Sequence, residues 1–294
     1  MCHGADTLAR MSQMPLDWLQ PAWPAPAHVH ALCTTRHGGC SLPPFDSMNL
    51  GDHVGDDPRA VAANRARLQA VLQAATPGAR AVFLQQVHGT QVAVLEPGMA
   101  DGGRFDACVS TQRGLACTIM VADCLPLLLT DTAGRVVAAA HAGWRGLAGQ
   151  GGVGVIEAVY QQFSALARSH PAPAATENVA AEGARAVAAC TLAWLGPCIG
   201  PQAFEVGPEV RAAFCAHDAA AAQHFRPLGA GKYLADLAAL ARQRLQALGI
   251  TQVYGNDSGS AWCTATQASR FFSHRRDGAA LGGSGRMAAC IWLG

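Results

Sequence analysis

Three short segments of the chain each place a possible metal ligand beside a glycine or a tight turn. The segments are QQVHG, ADCLP and HAGWRG, and the ligands in them are His88, Cys124 and His141. Two imidazoles and a thiolate suit Zn²⁺, and three protein ligands leave the fourth tetrahedral position for water or substrate. The segments therefore predict an open zinc site of the catalytic type.

Two other interpretations of these residues stay open on spacing alone. In the first, the histidines are hydrogen-bonded core residues and Cys124 is a buried free thiol, since cysteine is among the most buried residue types. In the second, Cys124 is a nucleophile, His141 its base and Asp123 the orienting carboxylate. Asp123 and Cys124 are adjacent, and adjacent side chains on a strand point to opposite faces, which weakens this triad.

Two arginines beside glycines are candidates for phosphate or substrate contact, because a guanidinium is always charged and binds phosphate through two hydrogen bonds. Arg36 ends a predicted strand just before two glycines, and Arg145 lies four residues after His141. The alternative for each is a surface arginine paired with an aspartate.

The loop after Arg36 contains two further candidates for substrate binding. Ser41 and Asn49 are placed to contact a ribose or a base, or else to cap turns. Arg275 and Arg276 are weaker candidates. Asp106 is predicted to cap a turn, because the preceding residues are rich in glycine.

The elements that must position these residues alternate between strand and helix patterns. A strand is predicted to end at Arg36, and a helix is predicted over 58–75 with Asp57 as its N-cap. The apolar run 116–131 is predicted to be strand buried on both faces. The runs 81–89 and 135–143 are predicted to be strand-like and to end near the two histidines. The leucine spacing predicts the clearest helix over 233–249.

The alternation predicts an α/β (α+β) fold, a single-domain layered sandwich with mixed β-sheets and flanking helices. Residues 1–29 are predicted to be an N-terminal extension and 30–294 the catalytic domain. Within the domain, 167–190 is rich in alanine and proline and is predicted to be a surface insertion.

Composition excludes several classes of protein. Lys and Arg number 21 against 20 Asp and Glu, so the basic field of a typical nucleic-acid binder is missing. No uninterrupted apolar run is long enough for a membrane span, and the first residues lack a signal-peptide pattern. We therefore expect a cytoplasmic protein with reduced thiols, a small-molecule substrate, and a monomeric or small homo-oligomeric state.

Several longer motifs resemble one family. The segments TTRHGGCS, LQQVHG, ADCLPLLLTD, AAAHAGWRG, WLGPCIGPQAFEVG and GRMAACIWL resemble the YfiH family of multicopper polyphenol oxidase-like proteins, over about residues 30–294 apart from 167–190. The resemblance implies that His88, Cys124 and His141 bind Zn²⁺. It also implies phosphorolysis of adenosine, inosine and methylthioadenosine, with nucleoside and phosphate as substrates and adenosine deamination as a side activity. Arg36 joins the three ligands as an expected catalytic residue.

The resemblance leaves two alternative functions. A laccase-like polyphenol oxidase would use copper, but it normally needs a separate type 1 site and a histidine-rich cluster, and this chain has one H-x-H sequence, at His28–His30. An editing hydrolase for peptidoglycan precursors would use the same zinc chemistry on an amide. No glutamate lies beside the ligands in sequence, so the residue that carries protons is not predicted.

Overall fold

Strands and helices interleave along the chain, as the sequence predicts. The computed structural model describes residues 17–170 and 183–294. The strands of these residues are β1 (Val29–Cys33), β2 (Arg80–Val82), β3 (Val92–Val94), β4 (Ala107–Ser110), β5 (Leu115–Val121), β6 (Leu125–Asp131), β7 (Val137–Ala142), β8 (Thr191–Leu195), β9 (Glu205–Val206), β10 (Phe225–Gly229), β11 (Lys232–Ala235), β12 (Gln252–Gly255) and β13 (Met287–Leu293). The α-helices are α1 (Pro58–Ala75), α2 (Trp144–Ala148), α3 (Val155–Ser169), α4 (Gly183–Ala189), α5 (Pro208–Cys215), α6 (Leu237–Ala247) and α7 (His274–Leu281).

The strands within the described ranges form two large sheets and a small one. One large sheet has four strands in the order β1-β13-β5-β2, and the other has six in the order β12-β8-β6-β7-β4-β3. Both are mixed, since β2–β5, β3–β4 and β8–β12 pair in parallel while the other neighbours are antiparallel. The predicted α/β fold with mixed sheets is confirmed. A small third sheet has three strands in the order β10-β11-β9, and these strands come between β8 and β12 in the chain.

Alternating burial shows how the layers stack. Ile119 of β5 shares an apolar core with Leu128 and Val137 of the six-stranded sheet, so the two large sheets face each other. Met120, on the opposite face of β5, packs with Leu68 of α1. The outer face of the six-stranded sheet packs against α3, α5 and α6. The result is a sandwich of two sheets with helices on both outer sides.

The chain passes from one large sheet to the other within the apolar run 116–131, so the prediction of a single strand there was wrong. β5 ends at Val121 in the four-stranded sheet, and β6 begins at Leu125 in the six-stranded sheet. Asp123 has a φ of 87°, which turns the chain without a glycine. Cys124 therefore lies at the crossing between the sheets.

Other element predictions hold with changed limits. The helix over 58–75 is confirmed, and Asp57 accepts a hydrogen bond from the Arg59 N–H at 2.9 Å. The run 81–89 is mostly loop, because strand pairing stops at Val82. The helix predicted over 233–249 is shorter, since β11 occupies its beginning and Asp236 caps α6.

The two segments predicted to lie outside the core are described only in part. Leu19 pairs with Cys33, so this part of the N-terminal extension joins the edge of the four-stranded sheet. Residues 1–16 of the extension and 171–182 of the predicted insertion lie outside the described residues. The division into extension, domain and insertion stays a prediction. No helix of the described residues is long and apolar enough to cross a membrane.

Asn64 on α1 fixes the loop that follows β1. Its side chain is fully buried and bonds to groups of this loop, at 2.9–3.0 Å, on Cys40, Ser41, Ser47 and Asn49. Asn49 extends the network, because its Oδ1 accepts from the N–H groups of Gly51 and Arg286. The loop is thereby tied both to α1 and to the start of β13.

We expect Asn64→Ala to lower the free energy of unfolding by about 1–3 kcal/mol, because it leaves buried donors and acceptors without partners. Urea denaturation measures this loss. Gln73→Ala is the matched control, since Gln73 is an exposed amide on the same helix and its loss should change stability by no more than about 0.5 kcal/mol. Equal stability of the two variants would contradict the role assigned to Asn64.

Candidate metal centre

His88, Cys124 and His141 come together at one end of the space between the two large sheets. Their ligand atoms all lie within 4.8 Å of one another, and Cys124 Sγ is 3.8 Å from His88 Nε2. The two imidazole rings meet edge to face with centroids 4.7 Å apart. His141 is buried, Cys124 partly buried and His88 exposed, so the cluster is closed on one side and open on the other.

Three different kinds of backbone position these ligands. His141 lies in β7 opposite Pro126, on the face that the strand turns toward the other large sheet. Cys124 follows the left-handed Asp123 at the crossing between sheets. His88 lies in the loop between β2 and β3 with a φ of 60°. A non-glycine residue in this conformation is held there by its surroundings.

Asp106 supplies those surroundings. Its carboxylate accepts hydrogen bonds from the backbone N–H groups of Val87, His88 and Gly89, at 3.2, 2.8 and 2.6 Å. Its Oδ1 is also 2.9 Å from His141 Nδ1. One fully buried carboxylate therefore fixes the backbone of one histidine and the ring of the other, leaving His141 Nε2 for a ligand.

The charges of the cluster suit a bound cation. Burial raises the pKa of the Cys124 thiol, but the His141 and His88 rings outweigh burial and lower this pKa to about 6. Burial lowers the pKa of His141, yet the sulfur of Cys124 and the carboxylate of Asp106 raise it to about 9. The Cys124 thiolate is thus stabilised by positive charge on the histidine rings. A bound divalent metal ion would supply that positive charge instead, because its ligands lose their protons on binding.

The space between the ligands is kept free by a glycine. A Cβ atom at Gly143 would lie 2.9 Å from both Cys124 Sγ and the His88 ring. Gly143 has an ordinary φ of −67°, so its backbone does not require glycine. The donor set, its carboxylate support and this space together fit a metal ion held by His88, Cys124 and His141.

The cluster opens into a cavity of about 470 Å³ whose walls carry more positive than negative charge. Arg145, Arg275 and Arg286 line it, and Asp123 is the carboxylate on its wall. Both oxygens of Asp123 are occupied, by the Thr264 hydroxyl and the Arg275 N–H, each at 2.6 Å. The cavity is therefore suited to an anionic ligand.

Comparisons with known proteins agree on one family. The family model described as multi-copper polyphenol oxidoreductase laccase matches residues 30–190 and 172–294. A purine nucleoside phosphorylase of Pseudomonas aeruginosa is 46% identical over 94% of this chain and 98% of that protein. The purine nucleoside phosphorylase YfiH of Escherichia coli is also 46% identical, over 93% of this chain and 97% of the relative.

Solved structures give the same result. A Neisseria meningitidis protein assigned to family DUF152 superposes with a TM-score of 0.78 at 40% identity, covering 94% of this chain and 99% of that one. YfiH of Bacillus licheniformis superposes with a TM-score of 0.75 at 28% identity, over 90% and 93% of the two chains. The chain belongs to the YfiH family. The resemblance seen in the sequence motifs is thereby confirmed.

In this YfiH family member, the predicted substrate residues occupy different places. Arg145 lines the metal cavity, where its guanidinium stacks over the Trp144 ring at 4.4 Å. Arg36 does not line it. Its guanidinium pairs with Asp46 at 3.2 Å and donates to the Ala268 carbonyl at 2.8 Å.

Ser41 and Asn49 also lie away from the cavity wall. Ser41 is buried and donates to the Asp56 carboxylate at 2.6 Å, and Asn49 donates to the same oxygen at 2.8 Å. Their side chains thus bond within the loop after β1 and to α1, in keeping with the structural alternative that the sequence left open. Of the weaker candidates, Arg275 lines the cavity, whereas Arg276 pairs with Asp277.

The structure also settles which carboxylate supports His141. The triad hypothesis assigned this role to Asp123, but Asp123 bonds to Thr264 and Arg275, and the partner of His141 is Asp106. Sequence reasoning placed Asp106 in a turn and missed its contact with the ligands. The antiparallel pairing of β4 with β7 brings Asp106 beside His141, and no local sequence motif indicates that pairing.

Proposed function

We propose that the chain is a zinc-dependent purine nucleoside phosphorylase that acts on adenosine, inosine and methylthioadenosine, with adenosine deamination as a side activity. The observation that carries this proposal is the position of the His88, Cys124 and His141 cluster on the wall of a cavity lined by arginines. The relatives at 46% identity that are named purine nucleoside phosphorylases support the same function.

In this proposal His88, Cys124 and His141 hold the metal, and Asp106 keeps the backbone of His88 and the ring of His141 in place. Bound Zn²⁺ would supply Lewis acidity at the open side of the cluster. Asp106 accepts from His141 Nδ1, so it sets the ring nitrogen that is left for the metal and increases its basicity.

Arg145 is the residue we propose for phosphate. Its guanidinium makes no hydrogen bond or ion pair with a described residue, and the Trp144 ring holds it from one side. Its N–H groups are therefore available to two oxygens of one phosphate. Arg275 donates a hydrogen bond to the backbone carbonyl of Glu205. Arg286 donates to the backbone carbonyls of Ser284 and Gly285. Both arginines add positive charge to the same cavity.

Part of the cavity wall is apolar and suits a purine ring. Met120, Ile199 and Phe204 line it on the side of the two large sheets and the β8–β9 connection. A cavity of about 470 Å³ lies within the usual range for small-molecule sites. Arg36, Ser41 and Asn49 contribute indirectly, since they fix the loop after β1.

The decisive experiment incubates the purified, zinc-loaded protein with inosine and phosphate and follows hypoxanthine release. We expect phosphate-dependent release by the unmodified protein and none above background by His88→Ala. Adenosine and methylthioadenosine are tested in the same way, and ammonia release from adenosine reports deamination. If neither the unmodified protein nor His88→Ala released base above background, the proposal would be overturned.

Metal analysis separates the proposal from the copper oxidase alternative. Among residues 17–170 and 183–294, His88, Cys124 and His141 form the single group of three or more possible ligands. This set does not supply the separate sites of a multicopper oxidase. We therefore expect zinc at one equivalent per chain after purification without chelator. Stoichiometric copper with visible absorption would favour the oxidase instead.

A further inference from the structure

A second cavity meets the metal cavity at two shared residues, His53 and Gln86. The second cavity has a volume of about 500 Å³. Gln86 is a fixed part of the wall, because its Nε2 donates to the Met120 carbonyl and its Oε1 accepts from the Met120 N–H, both at 2.7 Å. His53 is therefore the residue at this junction whose side chain can take up and release a proton.

Few side chains on the metal cavity can exchange a proton near neutral pH. The three metal ligands are committed to the cluster, both oxygens of Asp123 are occupied, and the arginines stay protonated. Of the described lining residues, this leaves His53 and His274.

The surroundings distinguish these two histidines. His53 Nδ1 is 3.5 Å from Asp52 Oδ1, and Asp52 Oδ2 is paired with Arg65 Nη2 at 3.1 Å. Arg65 is itself fixed by the Leu50 carbonyl and by stacking over Phe83. His274 begins α7 and has no carboxylate partner among the described residues. His53 has an orienting carboxylate and His274 does not.

We propose that His53 is the residue that carries the proton during phosphorolysis, with Asp52 as its positioning residue. The inference rests on the proposed function and names a role in it that sequence reasoning left unassigned. A neutral ring whose Nδ1–H faces Asp52 presents Nε2 as a proton acceptor. The backbone just before His53 is held by hydrogen bonds of Asn49 to Gly51 and of Asn64 to Asn49.

The step balances as a proton relay. Nε2 of His53 takes the proton of hydrogen phosphate while a phosphate oxygen forms its bond to C1′ of the ribose. The bond between C1′ and the purine nitrogen breaks, and its electron pair stays on the base. The imidazolium then passes the proton to the departing purine, so that His53 ends neutral and the products are ribose 1-phosphate and free base.

Charges around His53 favour the accepting form at neutral pH. Burial lowers the pKa of His53, and nearby Arg286 on β13 lowers it further. The hydrogen bond and charge of Asp52 raise this pKa, and Arg65 on α1 lowers it, but the net direction is downward from 6.5. The acceptor is therefore present above this pKa and is lost as the pH falls through it.

The test compares His53→Gln with His37→Gln in the zinc-loaded protein. His37 is the matched control, because it is an equally exposed histidine paired with an aspartate, Asp17, and it lines neither cavity. We expect His53→Gln to lower kcat for phosphorolysis by about 100-fold with little change in KM, zinc content or Tm. The fall in kcat at acidic pH, present in the unmodified protein and in His37→Gln, should disappear.

A second variant keeps the inference falsifiable if His53→Gln folds poorly. Asp52→Asn removes the group that raises the pKa of His53, so the acidic fall in kcat should move to lower pH. An unmodified kcat and an unmodified pH profile in His53→Gln, or an unshifted profile in Asp52→Asn, would overturn the inference. Failure of the unmodified protein to release base would instead overturn the proposed function itself.

Discussion

Cys124→Ser is expected to reduce phosphorolysis by on the order of 1,000-fold or more and to abolish stoichiometric zinc binding. A serine hydroxyl stays protonated where the Cys124 thiol, with its pKa lowered to about 6, is a thiolate. The variant retains two imidazoles, which are too few to hold the metal firmly. Zinc content and hypoxanthine release measure the two effects on the same sample.

The fold should survive this change, because Cys124 is partly exposed and its polar contacts are with the two histidines. We expect metal-free Cys124→Ser to unfold at the same temperature as the metal-free parent protein. Cys215→Ser is the matched control, since Cys215 has similar exposure but lies on α5 away from the cluster. Retention of zinc and full activity by Cys124→Ser would show that the metal centre lies elsewhere.

The sequence singled out three residues, His88, Cys124 and His141, that lie together in the structure, and a glycine follows each histidine within two residues. It also predicted the layered mixed-sheet fold, because long buried strands and an amphipathic helix over 58–75 leave clear patterns. The crossing between sheets was missed. Asp123 turns the chain with a positive φ that glycine normally provides, so the apolar run 116–131 has no visible break.

The substrate residues were harder to predict, because their roles depend on partners distant in sequence. Arg36 and Arg145 look alike beside their glycines, yet Arg36 meets Asp46 and Ala268 while Arg145 faces the cavity. His53 and Asp106 gave no local signal of their roles. The positions of both depend on tertiary structure that joins segments far apart in the chain.

Asp106→Asn is expected to weaken zinc affinity by about 10–100-fold and to lower stability by about 3–5 kcal/mol. The amide retains one acceptor oxygen, while its NH₂ group would face backbone N–H groups that now donate to a carboxylate. Both His88, held through its backbone, and His141, held through its ring, lose part of their support. Competition with a chromophoric chelator measures the affinity, and urea denaturation measures the stability.

Asp131→Asn separates the two effects. Asp131 is a buried carboxylate at the end of β6 that accepts from Arg135, far from the ligands in the sheet. Its replacement should lower stability but leave zinc affinity and kcat unchanged. If Asp106→Asn behaved in the same way, with reduced stability and normal zinc affinity, Asp106 would be a fold-stabilising residue only. A loss of affinity confined to Asp106→Asn means that this carboxylate positions the metal ligands, since both variants remove one buried negative charge.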